Sequence, residues 1–378
     1  MLFILFSISV ESQVIYGNDG IDFSFSYRGD FWQDGTNEKF YYLDNFNIDL
    51  GLDLESLAGW KSTSFFAGVL GNNGKDPNEL IGSVQGIDNI AAYNTWKLYQ
   101  LYIEQKFAED KFAVLAGLLD LNSEFDTREY SSVFINPSHG IGAEYALTGY
   151  NGPSIFPTTS LAFRVLYNYN ASWNIRLAVF DGVSGDPENP KGTQIKIGKN
   201  DGALVASEIT YQSSEEEKYF KYSVGGWLYT SEFPDIETGE MRKGNMGLYL
   251  SAEKQLYNEA DAQGLGGFVR LGLADSKTNL VNAYYGAGLN YKGVIPGREE
   301  DVLGIAAAIT HNNKKYVDIM KADDVTIAAN EVIMELTYKM SFFERILIQP
   351  DLQYAINPVE GDQGKNYLVV GVRLGLVL

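Results

Sequence analysis

Polar and apolar residues take turns along most of this chain with a period of two. From Ile21 the side chains of Ile21, Phe23, Phe25 and Tyr27 share one side of an extended backbone, while Ser24, Ser26, Arg28 and Asp30 share the other. A strand with an oily and a wet face requires that arrangement. Phe46, Ile48, Leu50, Leu52 and Leu54 repeat it against Asn45, Asn47, Asp49, Gly51 and Asp53. The same reading predicts strands near 61–71, 96–107, 111–119, 159–169, 172–181, 202–212, 218–230, 246–256, 265–274, 284–292, 301–311, 329–341, 344–355 and 366–378. The last is the cleanest: Leu368, Val370, Val372, Leu374, Leu376 and Leu378 point one way, and Gly371, Arg373 and Gly375 the other.

A single strand of this kind would also suit a soluble sandwich, so number and spacing decide. About sixteen strands of roughly nine to eleven residues match the length that crosses a bilayer at a tilt. The links between them alternate in length. Short ones at 108–110, 169–172 and 341–343 take turns with long ones at 72–95, 118–158, 182–201 and 312–328. Tight periplasmic turns and long outer loops produce that rhythm in a transmembrane antiparallel β-barrel, with both chain ends on the periplasmic side. No run approaches the ~18 consecutive apolar residues of a membrane helix, so a membrane location requires a closed barrel.

Composition narrows the picture further. No linker or compositional break divides the 378 residues, and one all-β barrel domain over 13–378 is expected. The 39 glycines, 25 tyrosines and 21 phenylalanines suit a β-rich protein, and the absence of cysteine suits an oxidising compartment. A formal charge of −20 argues against a nucleic-acid partner and against a pore for anions. Residues 1–12, apolar from Leu2 to Val10, read as the later part of a secretory signal peptide with cleavage near Ser12. A buried first strand is the alternative.

The stretch from Leu118 to Arg164 breaks the pattern. It runs about forty residues with no sustained strand or helix period, and loops that long in compact proteins are usually functional. Within it, NSEF at Asn122, FINPSHGIGAE at Phe134 and NGPSIFPTTSLAFR at Asn151 resemble the carbohydrate-selective porins of bacterial outer membranes, the OprB family. LDLESLAGW at Leu52, GSVQGIDNI at Gly82, KLYQLYIEQKF at Lys97, AVFDGVSGDP at Ala178 and QPDLQYAINP at Gln349 extend the resemblance over most of the chain. It implies an outer-membrane channel for passive diffusion of mono- and small oligosaccharides. It also implies a third outer loop that folds into the barrel and narrows the pore.

Alternation assigns Glu104, Arg164, Arg176, Glu208, Arg270, Glu335 and Arg373 to the inner face, because an Arg or Lys on the lipid face at mid-depth costs about 2–4 kcal/mol. A lining of both signs can replace part of a sugar's hydration and sets a field that discriminates among ions. The plainer reading is that these charges pair and hold loop to wall. In the loop, Asn122, Glu124 and Asp126 are candidates for the narrow point, and Phe125, Phe134 and Phe156 for apolar ring faces against a pyranose. Burial of those rings, anchoring the loop, is the alternative. Trp60 and Trp173 fall in or beside short turns, where interfacial anchors belong.

Enzyme chemistry finds little support. His139 and His311 are too few for a persuasive zinc site, and Ser138-His139 matches no hydrolase spacing. Glu124 and Asp126 make a weak glycosidase pair, Gly286 and Gly288 lack a strand-to-helix context, and the Asp-rich segments 181–186 and 318–324 miss EF-hand spacing. No catalytic residue, metal or cofactor is assigned. Small sugars, lipid and lipopolysaccharide are the expected partners, and homo-oligomerisation stays open. Two rival functions remain: a general, weakly cation-selective porin and a secreted soluble β-rich sugar-binding protein.

Overall fold

Backbone N–H and C=O groups inside a bilayer need partners within the protein, and this chain supplies them with one closed antiparallel ladder. The computed structural model describes residues 16–18, 20–35, 39–195, 197–213, 219–259, 263–343, 345–361 and 364–377. The segment read as a signal peptide and Leu378 lie outside the described residues. A short strand, β1 (Tyr16–Asn18), pairs with the start of the first long one. The long strands in order are β2 (Ile21–Asp34), β3 (Phe40–Asp53), β4 (Thr63–Gly74), β5 (Thr95–Phe107), β6 (Phe112–Leu119), β7 (Ser160–Asn168), β8 (Trp173–Asp181) and β9 (Ala203–Gln212). Then come β10 (Phe220–Pro234), β11 (Met241–Asn258), β12 (Gly264–Ala274), β13 (Val281–Lys292), β14 (Val302–Asn312), β15 (Asn330–Phe342), β16 (Ile346–Ile356) and β17 (Tyr367–Val377). Each pairs with its neighbours in sequence, and β17 returns to β2 through pairs such as Arg373↔Asp30, closing a barrel of sixteen long strands.

The strands fall where alternation placed them, with two differences. Leu54 does not continue the oily face of β3; it opens a short helix, α1 (Leu54–Ala58). Asp53 causes the break, since its carboxylate accepts from the Glu55 N–H at 3.0 Å, and Gly59 ends the turn at φ +72°. The second difference is the length of β10 and β11. Past a bulge between Tyr229 and Glu232, Phe233 and Pro234 go on pairing with Arg242 and Met241, which carries that hairpin beyond its expected outer end.

The two faces separate sharply. Val269 and Leu271 are 50 % and 46 % exposed toward lipid, whereas Arg270 between them is 1 % exposed. Exposed Trp60 and Trp173 lie at periplasmic turns, and Trp173 stacks on Tyr211 at 4.7 Å. The interior is lopsided. Along β10–β14 many inward positions are small, including Gly225, Gly247, Gly272, Gly286 and Gly288, and they leave room for a buried layer of rings. From β3 to β8 the inward positions carry Asn47, Asp49, Gln100, Glu104, Arg164 and Arg176 instead.

Candidate constriction site

Two outer loops turn into the lumen and fasten to its wall. The third, residues 120–159, begins as Asp120 caps a short turn through the Asn122 N–H at 2.8 Å and accepts from the Tyr99 hydroxyl at 2.5 Å. It then crosses to the glycine-rich half. There Tyr145, on the short helix α2 (Ala143–Ala146), stacks on Trp227 with centroids 3.9 Å apart and planes 5° from parallel. That contact is possible because Gly247 stands beside Trp227, where any Cβ would collide with the indole. Gly286 and Gly288 do the same for Tyr284 and Phe268.

Charges fix the same loop. Arg270 on β12 bonds Asp126 at 2.9 Å and Glu144 at 2.6 Å, its guanidinium set between the rings of Tyr249 and Tyr284 at 5.3 and 5.1 Å. Arg128 joins Asp126 from within the loop. Glu208 accepts from the Asp126 N–H at 2.9 Å and from the Tyr249 hydroxyl at 2.6 Å. Glu335 accepts from the N–H groups of Ile135 and Asn136 at 2.6 and 3.0 Å. His139 lies buried nearby between Phe134 and Phe268, with Nε2 3.7 Å from Glu335.

The second loop, residues 75–94, meets the wall at the barrel seam and at β15. Arg373 on β17 grips Asp30 on β2 at 2.6 Å and reaches Asp88 at 3.1 Å and Asn89 at 2.8 Å. Trp32 donates its indole N–H to Asp88 at 2.6 Å. Glu331 accepts from the Ser83 hydroxyl at 2.5 Å and from the Gln85 N–H at 3.2 Å.

These contacts sort the expected site residues into two groups. Glu208, Arg270, Glu335 and Arg373 face the interior, yet each is at most 5 % exposed and meets a loop rather than open channel. Asp126 is fully buried among them. Phe125 and Phe134, at 1 % and 2 %, correct the idea that they offer rings to a sugar: both are packed into buried clusters with wall residues and hold the loop down. Phe156 is half-buried, edge-on to Tyr99 at 6.3 Å. Asn122 bonds the carbonyls of Phe125 and Gly140 at 3.1 and 3.3 Å.

The second group converges. Arg164 binds Glu104 of the wall at 2.6 Å and Glu124 of the loop at 2.7 Å, and Arg176 stands 3.8 Å from both Glu124 and Glu208. Glu104 and Glu124 keep 18 % and 16 % of their side chains exposed. This is the one charged contact between loop and wall where carboxylates from both sides stay wet among the expected residues. Sequence reasoning missed Asp88, Asn89, Glu144 and Trp227. For the second loop a signal was present: in GSVQGIDNI, apolar Val84, Ile87 and Ile90 sit among Ser83, Gln85, Asp88 and Asn89, a pattern suited to a half-buried segment.

A closed sixteen-stranded barrel with an oily belt, a polar interior and loops that narrow its lumen is an outer-membrane diffusion channel, a porin. The family is more particular: the model of the carbohydrate-selective porin, OprB family, matches residues 37–378, and the chain belongs to that family. Porin B of Pseudomonas aeruginosa is 25 % identical over 378 residues, covering 89 % of this chain and 82 % of that protein. The putative porin QuiX of Acinetobacter baylyi is 21 % identical over 365 residues, covering 87 % and 81 %. The high-pH structure of Pseudomonas putida OprB superposes with a TM-score of 0.86 at 22 % identity, over 98 % of this chain and 99 % of that one.

Proposed function

We propose that mono- and small oligosaccharides diffuse passively through the gap between the third loop and the β3–β8 wall, meeting Glu104, Glu124, Arg164 and Arg176 at its narrow point. The observation that carries this reading is the three-membered bridge Glu104–Arg164–Glu124, two members from the wall and one from the loop, with both carboxylates still accessible. Hydroxyl groups donate and accept at once, so a sugar can exchange its water for this row of acceptors and guanidinium donors. Binding stays weak because a solute held tightly cannot leave. The overall negative charge favours a second reading, a general pore with mild cation preference.

Two measurements separate them. In a planar bilayer, ion current that falls saturably as glucose or a linear glucose oligomer is added supports the sugar channel; conductance without block supports the general pore. Arg164→Ala, which leaves Glu104 and Glu124 without their shared cation, is expected to shift the reversal potential toward cation preference, and Arg176→Ala to do so less. An unchanged reversal potential in both would sink the placement of these residues at the narrow point.

A further inference from the structure

We propose that Phe66, Tyr102 and Asp49 form a stacking subsite for a pyranose ring on the outer side of Glu104 of the charged bridge. The proposal rests on the sugar-channel reading above and adds a place and a mode of contact to it.

Register puts the two rings in the lumen. Phe66 on β4 lies opposite Tyr102 on β5, while the adjacent pair is Phe65↔Ile103, and Ile103 is exposed on the lipid face. Successive strand residues point to opposite faces, so Phe66 and Tyr102 point inward. Their centroids are 5.2 Å apart and their planes 19° from parallel, an offset stack across two strands in which each ring keeps one face uncovered by the other. The flanking cross-strand positions are both glycine, Gly51 beside Phe66 and Gly117 beside Tyr102. No side chain walls the rings off along that row.

Asp49 borders the same clearing. A Cβ at Gly68 would lie 2.7 Å from the Asp49 carboxylate and 3.1 Å from the Phe66 ring, so the missing side chain is what keeps acid and ring open to one space. Asp49 makes no hydrogen bond or ion pair with any described residue, although other inward carboxylates such as Asp30, Asp126 and Glu208 each hold several. A half-buried carboxylate without protein partners is an acceptor available to sugar hydroxyls. On the next inward positions of the same strands lies Glu104, already bound to Arg164.

The pair differs in exposure from the rings that fill the far half, although Tyr102 also packs against the buried cluster around Leu115 and Phe125. The inward rings of the far half, Trp227, Tyr249, Phe268 and Tyr284, are 1–4 % exposed beneath the third loop. Phe66 and Tyr102 remain half-buried. A pyranose offers an apolar C–H face and a hydroxyl rim, matching a ring surface edged by an acid.

The test uses the intact channel in a planar bilayer. Glucose and the acyclic hexitol sorbitol carry comparable hydroxyls, but only glucose has a ring face. Glucose is expected to block wild-type current at roughly 3- to 10-fold lower concentration than sorbitol, and Phe66→Leu and Tyr102→Leu to weaken glucose block by a similar factor, with Tyr102→Phe near wild type. Equal block by glucose and sorbitol in the wild type overturns the subsite even if no variant folds. Glucose block within about two-fold of wild type in both leucine variants also overturns it while leaving the sugar channel standing. Absence of sugar block in the wild type removes the reading beneath it and the subsite together.

Discussion

Arg270→Ala is expected to widen the channel without unfolding the barrel. The guanidinium is the common partner of Asp126 and Glu144, all three fully buried, and its removal leaves Glu144 without a cation and Asp126 with Arg128 alone. Breaking a buried pair from one side costs about 3–5 kcal/mol, enough to change the docked-to-undocked ratio of the third loop by roughly a hundred-fold or more. The ladder of β11, β12 and β13 runs through backbone groups that the substitution does not touch, so the wall persists. Single-channel conductance should therefore rise, while the heat-modifiable mobility of a folded barrel is retained. Adding Glu144→Gln should bring conductance back toward wild type, because a buried amide is far less costly than a buried unpaired carboxylate. Unaltered conductance in Arg270→Ala would show that this network does not hold the loop.

Arg373→Ala should act on the barrel itself. Its guanidinium joins Asp30 across the closing seam and Asp88 of the second loop, so alanine strands two buried carboxylates at once. A loss of about 3–5 kcal/mol falls where the last strand meets the first. The expected result is a lower unfolding temperature in detergent together with new proteolytic cleavage within 75–94. Replacing Asp30 and Asp88 by asparagine in the same chain should recover much of both. Wild-type melting and protease resistance in Arg373→Ala would exclude a role at the seam. The pair of variants is diagnostic, since one changes current in an intact wall and the other changes the wall.

Much of the architecture is legible in the sequence. Alternation placed Arg270 and Arg373 inward because the residues on either side of each, Val269 and Leu271 or Val372 and Leu374, had to face lipid. It failed at Leu54, where Asp53 captures a backbone N–H and turns the chain into a helix, a local bond that outweighs the period. It also could not say what an inward residue meets. Glu104 and Glu335 look alike in sequence, each a carboxylate on the wet face of a strand, yet one stays partly open beside the loop and the other is sealed beneath it. Phe125 and Phe134 were candidates for sugar contact for the same reason: a ring in a long loop carries no mark of the side on which it will be covered.

Strand number, inner and outer faces and the likeness of the third loop to a family of sugar porins were determined by sequence alone. These depend on backbone geometry with a repeat of two and on the thickness of a bilayer, both of which act residue by residue. Which charges clamp, which stay wet, and that a second loop also enters the lumen were decided only by the tertiary structure. Those outcomes hang on contacts such as Asp126 with Arg270, 144 residues apart, and Arg373 with Asp30, 343 apart. Their partners are chosen by barrel closure and by the path that each loop takes across the interior, and no local pattern in the chain encodes either.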